Sequence, residues 1–370
     1  MDFIDLKSQQ ALIKTKIDTA IAKVLDHGRY IFGPEIAQFE ADMAAFGNAK
    51  HVLSCASGTD ALVLPLMAMN IGAGDAVFCP SFTFAATAEA VALRGATPVF
   101  VDIDRDTYNM CPASLQTAID GVMTKGELTP KAVIAVDLFG QPADYPKIAA
   151  ITRASGLKLI ADTAQGFGGT LAGKHPLHWA DISTTSFFPA KPLGCYGDGG
   201  AMLTNDDELA HVIDSLRNHG KGTDRYDNVR IGLNSRLDSI QAAILIEKLN
   251  LFAGEIDARM KIAARYNQGL TGGVSRVPVL MKDCVSTWAQ YTIEVNDRDR
   301  FMAHMKDAGV PTASYYPRPV HKQTAYEHYP VAGNGLANTE ACMGKVVALP
   351  MSAYLTRSDQ DKVIAAALSF

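Results

Sequence analysis

Lys191 stands between two prolines in the run Ser186-Phe187-Phe188-Pro189-Ala190-Lys191-Pro192-Leu193-Gly194, an apolar, glycine-rich stretch that continues to Gly200. A lysine in such company is not a solvated surface residue. Desolvation lowers the pKa of an amine and makes it a nucleophile toward carbonyls. Ser186 supplies a hydroxyl suited to a phosphate, and the glycines let backbone pass close to a ligand. No Walker or dinucleotide-binding glycine pattern accompanies them.

Three other features carry matching chemistry. Ser57-Gly58-Thr59 follows a short apolar run and opens a helical stretch, so its free amides and the helix dipole make an anion cradle; an ordinary helix cap accounts for the same residues. In Pro80-Ser81-Phe82-Thr83-Phe84 an aromatic side chain lies just past another apolar run, placed to stack on a flat ring or to fill a core. Asp162 ends Leu157–Asp162, with Gln165 one helical turn on. A carboxylate there either caps a helix or keeps a pyridine nitrogen protonated, which makes the ring an electron sink. Each feature alone is weak. A phosphate turn, an aromatic, an acid, and Ser with Lys in one loop are together what a phosphorylated pyridine aldehyde requires.

The elements that must position these residues are legible as apolar runs at 52–54, 76–80, 97–102, 132–137, 157–162 and 201–205, separated by helix-length segments. That texture predicts an α/β domain whose mostly parallel sheet is buried on both faces. Ligands of such sheets bind beyond the carboxyl ends of the strands. Helices are expected over 18–24, after Pro34, over 240–250 and over 255–270, with Pro65 kinking the helix after Thr59 or shifting its start. A change of domain is placed near 250, giving residues 1–249 as N-terminal segment and large domain and residues 250–370 as a small C-terminal α+β domain.

The 370 residues are 48% hydrophobic and 20% charged, with net charge −5. A mildly acidic chain without Lys/Arg clusters offers no footprint for nucleic acid. Asp2 and Asp5 sit where a signal peptide carries positive charge, and no apolar run approaches bilayer length, so a cytoplasmic protein without membrane association is expected. The six cysteines are scattered with no C-x-x-C pair, which predicts buried free thiols and neither metal site nor disulfides.

The chain resembles the sugar aminotransferases of the DegT family, within fold type I of the pyridoxal-phosphate-dependent transferases. The resemblance runs from GRYIFGPEIAQFE through SGTDAL, PSFTFAATAEAV, IADTAQGFG, SFFPAKPLGCYGDGGAMLTND, RNHG and NSRLDSIQAAIL to YYPRPVHKQ. It implies pyridoxal 5′-phosphate as cofactor, with a pyridoxamine phosphate form between two half-reactions. It further implies that Lys191 holds the cofactor covalently, Asp162 pairs with the ring nitrogen and Gln165 binds the phenolic oxygen. Phe84 stacks on the ring, and Ser186 with the Ser57–Thr59 turn holds the phosphate. Asn234 reaches that phosphate from the second subunit of a homodimer; as read directly, Asn234 is a helix cap.

The Lys191 stretch is most similar to enzymes that aminate C3 of UDP-linked 3-keto sugars for surface polysaccharide. L-glutamate is then the expected donor and 2-oxoglutarate the by-product. Arg230 is implied to reach substrate. Tyr315-Tyr316 stands where the 3-keto-glucuronate enzymes carry His before Tyr, which separates this chain from the uronate pattern; His321 and Arg318 lie close by as further candidate contacts or as exposed loop residues. Alternatives are amination at C4 of a dTDP-, GDP- or UDP-4-keto-6-deoxy sugar, and a non-catalytic regulator on the same fold. A sugar dehydratase of this fold would carry His in place of Lys191, and a cysteine desulfurase would need a reactive thiol such as Cys195.

Overall fold

The computed structural model describes residues 1–224 and 226–370. Its centre is a seven-stranded sheet formed by β1 (His51–Cys55), β2 (Asp75–Pro80), β3 (Thr97–Val101), β4 (Thr129–Val136), β5 (Lys158–Asp162), β6 (Ile182–Ser186) and β7 (Gly200–Thr204), in the order β1-β7-β6-β5-β4-β2-β3. The pairings from β3 through β2, β4 and β5 to β6 are parallel. β7 runs antiparallel to both β6 and β1. The strand residues are almost continuously buried because helices cover both faces. On one side Leu62, Leu64 and Val91 pack against Val77 and Ile134; on the other Leu115, Ile119 and Ile148 pack against Val99 and Val133.

β6 is absent from the apolar runs of the sequence, and its composition explains why. Ile-Ser-Thr-Thr-Ser lies wholly buried, and its threonine hydroxyls bond to backbone carbonyls of β5 and the residue that follows it instead of facing water. Thr184 Oγ1 reaches the Ala161 carbonyl at 3.5 Å, and Thr185 Oγ1 reaches that of Thr163 at 3.4 Å.

The N-terminal helix is longer than its apolar pattern suggests, spanning Leu6–His27, and is capped by Asp5. The helix after Thr59 spans Gly58–Ala68 and passes through Pro65 instead of starting beyond it. The two helices expected over 240–250 and 255–270 are one unbroken helix, Ser239–Leu270. Its early residues Ala242 and Leu245 share a core with Phe187 and Leu203, while its late residues Ile262 and Tyr266 share another with Tyr291, Phe301 and Val347. That second core is built on the antiparallel pair Tyr291–Glu294 and Val346–Leu349. No helix among the described residues is long and apolar enough to cross a membrane.

Candidate active site

β7 brings two distant segments to one point. Gly200, at its start, is paired with Cys55 at the end of β1 and with Ser186 at the end of β6. The turn after β1 and the loop after β6 therefore share the carboxyl edge of the sheet. Ser57 caps the helix Gly58–Ala68, its hydroxyl accepting the Asp60 amide at 3.1 Å. Accepting that amide leaves the O–H of Ser57 free to donate, so Ser57 brings both a donor and the shape of the turn to the edge. The amides of Gly58 and Thr59 have no acceptor among the described residues, and Gly58 lies against Ser186. A β-carbon on Gly58 would fall 2.6 Å from that of Ser186, so only glycine leaves room there. Free amides at a helix start beside a hydroxyl form an anion site.

Asp162 is the last residue of β5 and is buried. It caps no helix: its carboxylate accepts the Ala164 amide at 3.1 Å and the Thr87 hydroxyl at 3.4 Å. Burial raises its pKa, and the Ala164 amide, the nearby Lys191 ammonium and Thr87 pull it back down. Lys191 carries the mirror pattern, its pKa lowered by burial and partly restored by Asp162. Its backbone amide donates to the Phe188 carbonyl at 2.8 Å, and its amine makes no hydrogen bond among the described residues. An unpartnered, desolvated amine near a desolvated carboxylate is poised for carbonyl chemistry. Ile4, Asp5 and Gln9 of the N-terminal segment line a small cavity against Lys191.

Gln165 is held at both ends of its amide. Its Oε1 accepts the Phe139 amide at 2.7 Å, and its Nε2 donates to the Tyr316 hydroxyl at 3.0 Å. Tyr316 lies 6.2 Å from Phe84, centroid to centroid, and 5.8 Å from Tyr315, whose ring meets Phe3 at 6.3 Å. Phe84 is 57% exposed, so its ring faces open space and is not core filling. Tyr315 and Tyr316 are thus contiguous with the Gln165 side of the site.

The remaining candidates lie elsewhere. Arg230 occupies an exposed loop and donates to Ser215 Oγ at 3.2 Å. Asn234 is exposed, and the residue that caps the following helix is Asp238, so Asn234 is not the cap. Its neighbour Ser235 accepts the Ala56 amide at 3.2 Å and donates to Asp60 at 2.6 Å, tying that segment to the phosphate-type turn. His321 is not an exposed loop residue. It is buried, with Nδ1 2.6 Å from Ser81 Oγ and Nε2 3.3 Å from Glu340, while Arg318 is exposed. Cys195 is buried and donates to the carbonyls of Phe187 and Gly197; burial pushes its pKa up to about 11, far from a reactive thiol. Among the described residues no group of three or more His, Cys, Asp or Glu is placed to hold a metal.

Sequence patterns gave no sign of Thr87 and Asp137. Thr87 is an unremarkable threonine in an alanine-rich helix, yet it touches Asp162. Asp137 follows β4, and its amide donates to the Asp162 carbonyl at 3.0 Å. Its Oδ1 accepts the Tyr145 hydroxyl at 2.6 Å and the Ala143 amide at 3.0 Å, while Oδ2 is buried without a partner. Burial pushes its pKa up to about 8.

The residues present fit a phosphorylated pyridine aldehyde. The space beside Gly58 and Ser186 with its free amides suits the phosphate, the Asp162 carboxylate suits a ring nitrogen, the Phe84 face suits the ring and the unpartnered Lys191 amine suits the aldehyde. Comparison with known proteins points the same way. The pattern of the DegT/DnrJ/EryC1/StrS aminotransferase family matches residues 11–368. A Pseudomonas aeruginosa protein named UDP-2-acetamido-2-deoxy-3-oxo-D-glucuronate aminotransferase is 47% identical over 100% of this chain and 99% of its own. The crystal structure of a DegT DnrJ EryC1 StrS aminotransferase from Brucella abortus superposes with a TM-score of 0.99 at 52% identity, over 100% of this chain and 99% of that one. Bacillus subtilis NtdA with bound cofactor PMP superposes with a TM-score of 0.86 at 30% identity, over 99% of this chain and 82% of that one.

Proposed function

The chain belongs to the DegT/DnrJ/EryC1/StrS aminotransferase family, and from that premise we propose that it moves the amino group of L-glutamate to C3 of a UDP-linked 3-keto sugar, for surface-polysaccharide synthesis. It is a pyridoxal-phosphate-dependent sugar aminotransferase. The observation that carries the proposal is the meeting, at one sheet edge, of an unpartnered Lys191 amine, a buried Asp162 and the Gly58–Ser186 cradle. The preference for a UDP-3-keto sugar rests on the Pseudomonas relative and the wording of the Lys191 loop.

When bound, pyridoxal phosphate supplies an aldehyde that bonds an amino nitrogen and a ring that withdraws electrons from the adjacent carbon. The protein's residues do the rest. Gly58, Thr59 and Ser186 hold the phosphate, Asp162 keeps the ring nitrogen protonated, Gln165 fixes the phenolic oxygen and Phe84 covers one face. Lys191 would hold the cofactor covalently. Once freed by the donor's amine, its Nζ would carry a proton from the donor's α-carbon to the cofactor's former aldehyde carbon, and in the second half-reaction it would carry one the opposite way, from that carbon to C3 of the sugar. A low pKa suits the amine to both tasks, and two half-reactions sharing one site give ping-pong kinetics.

The proposal includes a homodimer. Ile231, 91% exposed, and Val229 present apolar side chains on either side of Arg230 in one loop, a surface suited to a second subunit. Arg230 and Asn234 lie on or beside that surface, consistent with their reaching a second subunit's site. The proposed division into residues 1–249, which bind the cofactor, and residues 250–370 rests on the two cores joined by the long helix. A cytoplasmic location follows from where nucleotide sugars are made.

The test is incubation of the purified holoenzyme with glutamate and a panel of UDP-, dTDP- and GDP-linked 3-keto and 4-keto sugars, read by mass. Amination of UDP-3-keto sugars is expected. Reaction with 4-keto sugars alone transfers the assignment to C4, and a protein that stays colourless with added pyridoxal phosphate is a regulator and not an enzyme.

A further inference from the structure

We propose that Lys248 is a positioning residue for Lys191: from the long helix it clamps, through Gly194 and Tyr196, the loop that carries the reactive amine. The inference rests on the reading of Lys191 as that amine.

Lys248 is a charged residue only 2% exposed, and among the described residues it forms no ion pair. Its Nζ donates to the Gly194 carbonyl at 2.6 Å and lies 4.4 Å from the centroid of the Tyr196 ring. Both contacts fall on the loop that leaves Lys191. Gln241, two turns earlier on the same helix face, accepts the Tyr196 amide at 2.9 Å. The loop is therefore stapled to the helix at two points.

The loop passes this restraint to Lys191 because it is closed on itself. The Lys191 amide donates to the Phe188 carbonyl and the Cys195 amide to the Phe187 carbonyl, each at 2.8 Å. A β-carbon on Gly194 would lie 2.5 Å from the Pro189 carbonyl oxygen, so the chain on either side of Lys191 is in contact with itself. A carbonyl anchored at Gly194 leaves little freedom to the residue three positions earlier.

A buried ammonium with one hydrogen bond is a poor way to stabilise a fold. Desolvation pushes its pKa down to about 8, and Glu255 on the same helix and Cys195 on the loop only partly offset that. A methionine of similar volume would avoid the penalty, and replacing buried charges by apolar groups is often neutral or stabilising. What methionine lacks is a donor for Gly194 and a cation for Tyr196. Stability and placement of Lys191 should therefore separate.

The experiment compares K248M and K248Q with wild type, loaded with pyridoxal phosphate. The readouts are melting temperature, pH titration of the lysine-linked absorbance band, and kcat and KM for glutamate. K248M is expected to melt at or above the wild-type temperature, to shift the titration of the band and to lose about tenfold or more in kcat with little change in KM, as displacement of a reacting group does. K248Q, which keeps a donor, recovers part of both. A K248M protein with wild-type titration and kcat overturns the proposal, as does a loss of kcat matched by a fall in melting temperature with no shift of the band. If K248M does not fold, Y196L removes the ring of the clamp from its half-exposed side, and an unchanged titration and kcat in that variant overturns it equally. A wild-type protein without any lysine-linked band refutes the role of Lys191 itself, which is a different failure.

Discussion

A β-carbon placed on Gly58 would lie 2.6 Å from the Cβ and 2.9 Å from the Oγ of Ser186, so the start of one helix and the end of another strand leave between them only what a missing side chain provides. The closeness has a topological cause. β1 and β6 flank β7, and Gly200 pairs with both Cys55 and Ser186, which brings the two carboxyl ends to the same edge.

Gly58→Ala forces the turn away from Ser186 and misdirects the amides of residues 58 and 59. Pyridoxal phosphate is expected to bind about tenfold or more weakly, the scale of losing one charge-assisted hydrogen bond. Fluorescence titration of the apoprotein measures this, with circular dichroism reporting an intact fold. Wild-type affinity in this variant would place the phosphate elsewhere.

Lys191→Ala removes the amine that bonds the cofactor and carries the proton. Turnover should fall by at least about a thousandfold, the upper range for loss of a positioned base. Borohydride reduction of the loaded wild type should label the peptide containing Lys191 and leave no label on the variant. A label on another peptide would contradict the assignment.

Asp162→Asn keeps the shape of the side chain and removes its charge. Asp162 raises the pKa of Lys191 while burial lowers it, so the variant's amine should titrate lower still. Turnover is expected to drop roughly a hundredfold or more through loss of the charge that sustains a protonated ring. The pH profile of the bound chromophore reports the first effect and steady-state rates the second.

Asp137 gives a pH dependence of stability with a definite sign. Burial holds its folded pKa up at about 8, against an unfolded value of about 3.9. Between those values the unfolded chain has lost the proton and the folded one keeps it. Its contribution to stability is therefore fully present below about pH 4, declines as pH rises and levels off above pH 8. D137N removes this term, so its stability relative to wild type should increase steadily from pH 4 to pH 8. Urea unfolding at intervals across that range is the measurement; a constant difference would mean that Asp137 is ionised in the folded protein.

Ile231→Asp places a charge on surface proposed to meet a second subunit. Light scattering should show monomer in place of dimer, and turnover should fall with it, because Arg230 and Asn234 no longer reach a neighbouring site. A dimeric, active variant would remove that surface from the interface.

The chemistry was legible in the chain because each component is local. A lysine between prolines, an acid ending an apolar run and a Ser-Gly-Thr turn opening a helix are short-range patterns, and the alternation of apolar runs with helical stretches marked an α/β fold. β6 escaped notice because buried strands are read from apolar side chains, and Thr184 and Thr185 satisfy their hydroxyls on the β5 segment only once that strand is in place beside them. The continuous helix Ser239–Leu270 was read as two because its apolar face changes partners midway, from one core to another. That His321 is buried could not be read from the chain, where it was a candidate substrate contact or an exposed loop residue, because its partners, Ser81 and Glu340, come from remote segments.

The amino-acid sequence by itself determined which groups are available: one amine without competing lysines in its loop, one strand-end carboxylate, one turn with free amides. Only the tertiary structure decided which of them face one another and which are already bonded. Ser57 caps its helix, His321 is held between Ser81 and Glu340, and the Lys191 amine is left unpartnered near Asp162. Strand order is the physical reason. Pairing between segments far apart in the chain sets what stands at the edge of the sheet, and that order is written in no local stretch of residues.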